Sequence, residues 1–208
     1  MLFGVVPSEL GKMVAKGLAP MTAAGFLKDL TQGVIEDVEN HVLGVDRLRV
    51  IVGDHSGSAV VPVAFSASRV LRVSMDHVND TSLFQLGGII VGRSYQGEGL
   101  GRKLVQDELI QTQADLLGFH TQNLHMLKLG DQLAEHHLYL SSGLAEEMGT
   151  PEPDVRKLGK EPRVVDIGRY GGKSLYGDLM RFYRQGMRIK GLDTKNGDAV
   201  VYVGEVKK

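Results

Sequence analysis

The stretch VGRSYQGEGLGRKLV, residues 91–105, places Gly97, Gly99 and Gly101 on alternate positions between an apolar run and an amphipathic one. The apolar run SLFQLGGIIV predicts a β-strand, and the residues after the glycines predict a helix. Glycine accepts positive φ and carries no side chain, so successive backbone N–H groups in such a turn can point at one anion. The positive end of the following helix dipole adds to the attraction. The sequence therefore predicts a phosphate-binding bend between a strand and a helix.

Two common nucleotide-binding motifs do not fit this chain. A dinucleotide fingerprint, G-x-G-x-x-G, starts correctly at Gly97 and Gly99 but then needs glycine where Arg102 stands. In GRYGGKS, which begins at Gly168, three residues separate the glycines where a P-loop needs four. We interpret GGKS as a turn in the C-terminal part of the chain.

The spacing Q-x-x-G-x-G in residues 96–101 resembles the acetyl-CoA loop, (Q/R)-x-x-G-x-(G/A), of the GNAT superfamily of acyl-CoA-dependent N-acyltransferases. Farther along, LYLSSGL resembles that family's L-Y-x-x-x-G-F segment, with Tyr139 four residues before Gly143 and Leu144 in place of the aromatic. A predicted helix and a predicted strand separate the two motifs, as in the family. The resemblance covers about residues 47–144.

The resemblance implies that the bend binds acetyl-CoA as co-substrate. Backbone N–H groups from about Gly97 to Arg102 would hold the CoA pyrophosphate, and the backbone at Val91 and Arg93 would pair with the pantetheine arm. Arg102 and Lys103 would offset phosphate charge, the alternative being that they are solvated residues on the outer face of the helix. The implied cofactor-binding set is Val91, Arg93, Gln96, Gly97, Glu98, Gly99, Leu100, Gly101, Arg102 and Lys103.

The resemblance also suggests catalytic residues. Tyr139 matches the family's general acid, since a phenol stays protonated at neutral pH and can donate to the departing thiolate; the alternative is a core tyrosine on an apolar helix face. Some family members carry a glutamate in the strand before the bend, where this chain has only Gln85. His77 and Asp80, just before that strand, are the base candidates. Ordinary loop residues, or a base-free route through ordered water, are the alternatives.

The helix that would carry the tyrosine departs from the family pattern. Family members often have asparagine seven residues before the tyrosine, at the start of its helix, and here that position is Gln132. The preceding Asp131 is a plausible N-cap. We therefore predict a helix over DQLAEHHLYLSSG, ending before Gly143, without an asparagine contact to the pantetheine.

The residues that commonly bind metals do not form a predicted site. The chain has no cysteine, which excludes disulfides, thiolate catalysis and Cys-ligated zinc. His136 and His137 are adjacent and would diverge on a helix. His120 and His125 would face opposite sides of a strand. The sequence predicts no metal.

The composition fits one globular domain. The chain has 208 residues, 42% of them hydrophobic, and a formal net charge of −1. This charge argues against a nucleic-acid binder with a strongly basic surface, although a local patch could hide in the average. The start lacks the order of a signal peptide, and no apolar run is long enough to span a membrane. We therefore expect a cytoplasmic protein without membrane or nucleic-acid partners; a homodimer is left open.

The expected fold is α/β (α+β), with a GNAT-like mixed, mostly antiparallel central sheet flanked by helices. A single domain over residues 1–208 would comprise an N-terminal helical segment (1–45), an acyl-CoA-binding core (47–144) and a strand–helix–strand tail (145–208) that completes the sheet. Periodicity predicts these local features: helix from Ser8 to about Asn40 broken at GLAP, a hairpin of RLRVIVG and SAVVPVAF, a helix reaching Leu116, a strand at NLHMLKL, a surface loop at GTPEPDVRKLGKEP, a strand at 163–168, a helix at 174–187 and a last strand at AVVYVGEV.

Three functions are open at this point. The leading hypothesis is an N-acetyltransferase that moves an acetyl group from acetyl-CoA to a primary amine of an unidentified acceptor. The missing carboxylate in the strand before the bend motivates an alternative, a catalytically silent acyl-CoA-binding regulatory module. The third is a nucleotide-binding protein whose bend holds another phosphate.

Overall fold

The computed structural model of the protein describes residues 2–3, 8–55, 59–75, 78–136, 140–150, 153–158 and 160–207. The chain forms two compact units. The first comprises residues up to Arg69 together with Leu86–Glu108, and the second comprises Val70–Gln85 and the chain from Leu109 onward. A single domain over residues 1–208 stays a prediction.

The described residues form a nine-stranded sheet with the order β1-β2-β3-β4-β5-β9-β8-β7, and β6 pairs with β9. β4 and β5 pair in parallel, whereas the pairs β1–β2, β2–β3, β5–β9, β6–β9, β7–β8 and β8–β9 are antiparallel. The predicted mixed, mostly antiparallel sheet is therefore confirmed. The elements are β1 (Leu2–Phe3), α1 (Ser8–Gly25), α2 (Gln32–Leu43), β2 (Arg47–His55), β3 (Ala59–Met75), β4 (Val78–Val91), α3 (Leu100–Thr112), β5 (Leu116–Thr121), α4 (Leu124–Leu133), β6 (Ala134–His136), α5 (Ser142–Glu147), β7 (Asp154–Leu158), β8 (Glu161–Asp166), α6 (Leu179–Arg184) and β9 (Ala199–Val206).

Within the first unit, helices lie on both faces of the strands. Side chains of α1 and α2 pack on one face of β2, β3 and β4, and Ile90 of β4 belongs to this core. Successive strand residues point to opposite faces, so the neighbouring Ile89 and Val91 lie on the other face, beside Gly101 of α3. The helices α1 and α3 thus lie on opposite faces of β4. The core on the α1–α2 side comprises Ala15, Leu18, Ala19, Val38, Val42, Leu48, Phe65, Ala67 and Ile90.

The second unit is built around β9, the last strand of the sequence. Its first six residues, from Ala199 to Gly204, are all buried, since the strand lies between β5 and β8. The stretch AVVYVGEV, which the sequence predicted as the last strand, is β9 and lies within this sheet. The core of this unit comprises Val73, Leu83, Leu116, Leu140, Leu144, Ala145, Met148, Val164, Val201 and Val203.

The N-terminal helix does not break where the sequence suggested. Helix α1 continues through GLAP with Pro20 inside it, and the interruption before α2 follows Gly25 instead. Pro20 is exposed, whereas the neighbouring Leu18 and Ala19 are buried in the core. Packing of these side chains outweighs the hydrogen bond that proline removes.

Several predictions in the second half of the chain were wrong. Leu116 opens β5 instead of ending α3, and NLHMLKL is the N-cap and first turns of α4 instead of a strand. The predicted surface loop contains β7, which pairs with β8. The predicted helix over 174–187 is reduced to α6, which begins after the N-cap Asp178. None of the described helices is long and apolar enough to cross a membrane.

Candidate functional site

The glycine bend, residues 92–99, connects the end of β4 to the start of α3. Gly92 N–H donates to the carbonyl of Val63 at 2.7 Å, which keeps the chain paired to β3 until the bend begins. A short 3-10 turn follows over Arg93–Tyr95. Gly97 and Gly99 then adopt φ values of 91° and 77°, in the left-handed region that favours glycine. The bend has the strand–turn–helix order that the sequence predicted.

Side chains leave the glycine bend open. A Cβ added at Gly97 or Gly99 would meet no heavy atom of the described residues within 4 Å. Gly101 has a different role, because its Cβ would lie 3.6 Å from Ile89 Cδ1 and from Val91 Cγ2. The first two glycines allow the backbone conformation, whereas the third faces β4 at a distance that would also accommodate a methyl group. Main-chain N–H groups at the start of α3 are thus accessible to a ligand.

The first residue of the motif, Gln96, supports the bend from within. Its Nε2 donates to the carbonyl oxygen of Val91 at 3.2 Å, so this amide joins the two ends of the turn. Tyr95 packs nearby: Cβ atoms added at Gly53 and Gly92 would each lie 3.5 Å from the Tyr95 side chain. The side chain of Gln96 therefore shapes the bend, while the Val91 carbonyl already accepts one hydrogen bond.

The charges around the bend are mostly positive. Arg93, Arg102 and Lys103 are exposed, and Glu98 is the one carboxylate among residues 92–103. Lys103 N–H donates to the carbonyl of Gly99 at 3.0 Å and begins the hydrogen-bond ladder of α3. The helix is 13 residues long, so its dipole adds positive potential at the bend. This combination suits a phosphate or pyrophosphate group.

A buried ion pair, which sequence reasoning missed, holds α3 on β2. The side chain of Glu108 is 1% exposed. Its Oε2 binds Arg47 Nε, and its Oε1 lies 2.9 Å from Arg49 Nε. Arg49 also lies 3.5 Å from Asp107 Oδ2. Two features of the sequence could have revealed this ion pair. Glu108 interrupts the apolar stripe between Val105 and Leu109, and R-x-R begins the predicted strand RLRVIVG.

The base candidates are not assembled into a site by the described residues. His77 lies outside the described residues. Asp80 belongs to β4 instead of preceding it, has φ of 72°, and is an exposed residue with its Oδ1 3.6 Å from Arg72 Nη1. Gln85, which stands where the family carries a glutamate, donates through Nε2 to the carbonyl of Glu147 at 3.2 Å. Gln85 is thus a contact to α5.

The helix after β5 begins with an asparagine after all. Asn123 is the N-cap of α4, and its Oδ1 accepts from His125 N–H at 2.9 Å. Asp131, predicted as the N-cap, lies in the last turn of the same helix. Thr121 Oγ1, 2.9 Å from Asn123 N, completes the turn. The sequence T-x-N before a leucine stripe was the signal for this start.

The tyrosine expected on that helix has no counterpart there. The residue seven positions after Asn123 is Gly130, and a Cβ added to it would lie 2.7 Å from Tyr202 Cζ and 2.9 Å from Phe119 Cζ. The space is thus filled by the stacked rings of two strands. Tyr139 itself lies outside the described residues, and α4 ends at Leu133. The predicted single helix over DQLAEHHLYLSSG is wrong, because Ala134–His136 pair with β9.

A second tyrosine lies at the start of α4. Asn123 Nδ2 donates to Tyr176 Oη at 3.1 Å. Burial raises the pKa of Tyr176 to about 12, although the hydrogen bond from Asn123 opposes this shift. The phenol therefore stays protonated at neutral pH.

The polar contact between His120 and Asp166 joins β5 to β8. His120 Nε2 lies 2.9 Å from Thr150 Oγ1 and 3.4 Å from Asp166 Oδ2. Burial lowers the pKa of His120. Burial alone would raise the pKa of Asp166, but His120, Arg169 and the Thr150 hydroxyl together hold it below its usual value. Within the described parts of the chain, no group of three or more His, Asp or Glu side chains is arranged to hold a metal ion.

Comparisons with known proteins give matches at the level of structure. No family model matches the sequence, and no curated protein matches it. Arabidopsis thaliana NAA60 in complex with a bisubstrate analogue is 12% identical, with a TM-score of 0.50, over 100% of this chain and 99% of that one. A protein assigned to the GNAT family of acetyltransferases, from Desulfovibrio desulfuricans, is 12% identical (TM-score 0.48; 100% and 99% covered). Aminoglycoside 6'-acetyltransferase type Ii is 9% identical (TM-score 0.49; 100% and 98% covered).

The sheet of the described residues and the likeness to NAA60 agree on the architecture. The β4–β5 pair is parallel, whereas the six antiparallel pairs given above surround it, and the glycine bend leads from β4 into α3. The chain therefore has the fold of the GNAT acetyltransferases.

Proposed function

We propose that the protein transfers an acetyl group from acetyl-CoA to a primary amine of an acceptor. The observation that carries this proposal is the open glycine bend. Gly97 and Gly99 leave its backbone uncovered, and α3 directs the positive end of its dipole there. Exposed Arg102 and Lys103 add positive charge for the phosphates of CoA. The order of β4, bend and α3 supports the assignment, because the sequence resemblance implies the same order around the acetyl-CoA loop.

The reaction requires the movement of two protons. The acceptor amine loses a proton, its nitrogen attacks the thioester carbonyl, and the carbon–sulfur bond breaks to release CoA as a thiolate. A general acid then protonates the sulfur. Holding CoA by the bend contributes by positioning the thioester before the attack.

We propose Tyr139 as the proton donor, on its match to the family segment, and His77 as the base candidate. Asp80 is a weaker base candidate because it is exposed beside Arg72. Among the described residues, Tyr176 is an alternative candidate for the proton donor, because its hydroxyl is protonated and hydrogen-bonded to Asn123. Tyr139→Phe should lower turnover more than acetyl-CoA affinity. A wild-type rate for Tyr139→Phe together with a slow Tyr176→Phe would transfer the role to Tyr176.

Incubation of the protein with acetyl-CoA and a panel of amines, with free thiol monitored, tests the transfer reaction. Gly99→Glu should abolish acetyl-CoA binding, because it places an anion where phosphate is expected, and the circular dichroism spectrum should stay unchanged. Leu30→Glu, an exposed site on the segment before α2, adds the same charge and should leave binding within about twofold, since exposed changes away from special features have small effects. Unchanged acetyl-CoA affinity in Gly99→Glu would remove the proposal.

One alternative is favoured by a specific observation. Gln85 replaces a carboxylate on β4 and is bound to α5, which fits a module that binds acyl-CoA without turnover. Such a module would bind acetyl-CoA and release no thiol with any amine. Thermal shifts with acetyl-CoA, ATP and NAD distinguish the acetyltransferase and the silent acyl-CoA-binding module from a general nucleotide binder. A ligand that binds should shift the unfolding temperature, since at about a hundredfold over its Kd it adds roughly 2.7 kcal/mol of stability.

A further inference from the structure

The segment that joins β8 to β9, residues 167–197, has a charge unlike the rest of the chain. We call it the basic connection. It contains seven Lys and Arg residues but only two Asp and Glu, a formal charge of +5. Because the whole chain carries −1, the other residues together carry −6. The near-neutral average conceals a concentrated positive region.

The two carboxylates of the basic connection are used by backbone groups. Asp178 Oδ1 accepts from Arg181 N–H at 2.9 Å at the start of α6. Asp193 Oδ1 accepts from the N–H groups of Lys195 and Asn196, each at 3.2 Å. Neither makes an ion pair with a side chain of the basic connection within the described residues. The two acidic groups of the segment therefore hold its turns.

Four cations of the basic connection are exposed and lie apart from the carboxylates of the described residues. No described carboxylate lies within 4.0 Å of Lys173, Arg184, Lys190 or Lys195, although all four are exposed. Arg169 provides the contrast, because it lies 3.5 Å from Asp166 Oδ2 and donates to the carbonyl of Gly149. Unpaired cations keep their full attraction for an external anion.

The basic connection folds back on itself through contacts between its own residues. Tyr183 Oη lies 2.9 Å from Thr194 Oγ1, which joins α6 to the turn that carries Lys195. A Cβ added at Gly197 would lie 2.7 Å from the carbonyl oxygen of Lys173, so the backbone at Lys173 lies beside the end of the segment. The Arg188 guanidinium lies over the Tyr183 ring, 4.9 Å from its centroid.

We propose that the basic connection binds the phosphodiester backbone of a nucleic-acid strand. Successive phosphates match several exposed cations carried by one segment, and a partly exposed aromatic ring with a stacked arginine is a common contact for bases. An acidic peptide would use the cations but gain nothing from Tyr183 and Arg188. The proposal does not depend on acetyl transfer, since every residue it uses lies outside the glycine bend.

The binding is measured by fluorescence anisotropy with the full-length protein and a labelled 20-nucleotide single strand, as RNA and as DNA. With four cations engaged, the logarithm of the affinity should fall with the logarithm of the salt concentration with a slope of about −3. Between 50 and 200 mM salt the affinity should therefore fall about 50-fold. A labelled polyglutamate peptide of the same charge is measured in parallel.

The decisive variant replaces Lys173, Arg184, Lys190 and Lys195 by glutamine. Its matched control replaces the exposed Lys16, Lys128, Lys157 and Lys160 by glutamine, which removes the same charge elsewhere. The first variant should lose at least about tenfold in affinity and most of the salt dependence, since each phosphate contact on a single strand contributes about 0.7 units of slope. The control should stay within about threefold of the wild type, and both variants should keep their acetyl-CoA affinity.

Three results would overturn the proposal: no binding of either strand at 50 mM salt, equal losses in the two quadruple variants, or tighter binding of polyglutamate than of both strands. The last would identify an acidic protein as the partner. Stronger binding of RNA than of DNA, or the reverse, would support the proposal and distinguish the source of the strand. Failure of the thiol-release experiment would leave all of these results unaffected.

Discussion

The chain turns from a strand into a helix at two comparable places, from β4 into α3 and from β5 into α4. At the first, two glycines with positive φ make an open bend. At the second, side chains make the turn: Asn123 N–H binds Thr121 Oγ1, and the Asn123 carboxamide caps α4. The first junction exposes backbone N–H groups, whereas the second satisfies them within the protein. Only the first is therefore suited to hold an anion.

The two helices also differ in how they are held on the sheet. α3 is held by the buried carboxylate of Glu108 between two arginines of β2. α4 is held by direct contact, because Gly130 allows the Tyr202 and Phe119 rings to approach its backbone. One anchor is electrostatic and the other is steric. Each can be broken separately.

The largest effect is expected from Glu108→Ala. The change leaves Arg47 and Arg49 without their buried partner, and loss of one member of a buried ion pair costs about 3 kcal/mol of unfolding free energy or more. Urea unfolding measures it. Asp107→Asn is the control, because Asp107 is 43% exposed and should cost less than about 0.5 kcal/mol. Equal losses in the two variants would show that the buried pair does not anchor α3.

Gly130→Ala should cost about 2 kcal/mol, because its Cβ would overlap two buried rings that cannot move freely. Gly17→Ala is the matched control in α1. No described atom lies within 4 Å of its Cβ position, so alanine should stabilise the protein by about 0.5–1 kcal/mol. Thermal unfolding of both variants tests whether the two substitutions change the stability in opposite directions. A stable Gly130→Ala would contradict the steric anchor.

The two junctions themselves should respond to substitution in different ways. Asn123→Ala removes the N-cap of α4 and should cost about 1 kcal/mol, whereas Asn123→Asp keeps the cap and loses the donor to Tyr176 and to Met187 Sδ. Gly99→Ala should cost about 1 kcal/mol because of its positive φ, with acetyl-CoA affinity reduced as well. Denaturant unfolding of each variant, with and without acetyl-CoA, distinguishes a loss of stability from a loss of acetyl-CoA binding. Weaker acetyl-CoA binding in Gly99→Ala but not in Asn123→Ala is the expected pattern.

The smallest effect is a pH dependence carried by His120. Burial holds the pKa of His120 below its usual 6.5, so the unfolded chain takes up the proton first as the pH falls. Stability from this group is thus present above pH 6.5 and is lost as the pH drops through the folded pKa. His120→Gln should flatten the dependence of unfolding free energy on pH between 7 and 5. An unchanged slope would show that another group titrates there.

How far the sequence predicted the structure depends on the range of the interactions involved. The glycine bend, the β2–β3 hairpin and the last strand were predicted correctly, since positive-φ glycines and alternating apolar residues act within a few residues. The start of α4 was missed, because the alternation in NLHMLKL also fits the first two turns of a helix. The break at Pro20 was placed wrongly, because core packing overrides a local preference.

By itself the sequence determined the element order around the glycine bend and the family resemblance that followed from it. Only the tertiary structure decided that Glu108 pairs with Arg47 and Arg49, that Gly130 receives the ring of Tyr202, and that Ala134–His136 join β9. These partners lie about 60 to 70 residues apart along the chain. Their meeting depends on the register of strands and on the faces that helices present. No local pattern encodes such contacts, because each is formed only when the whole sheet has assembled.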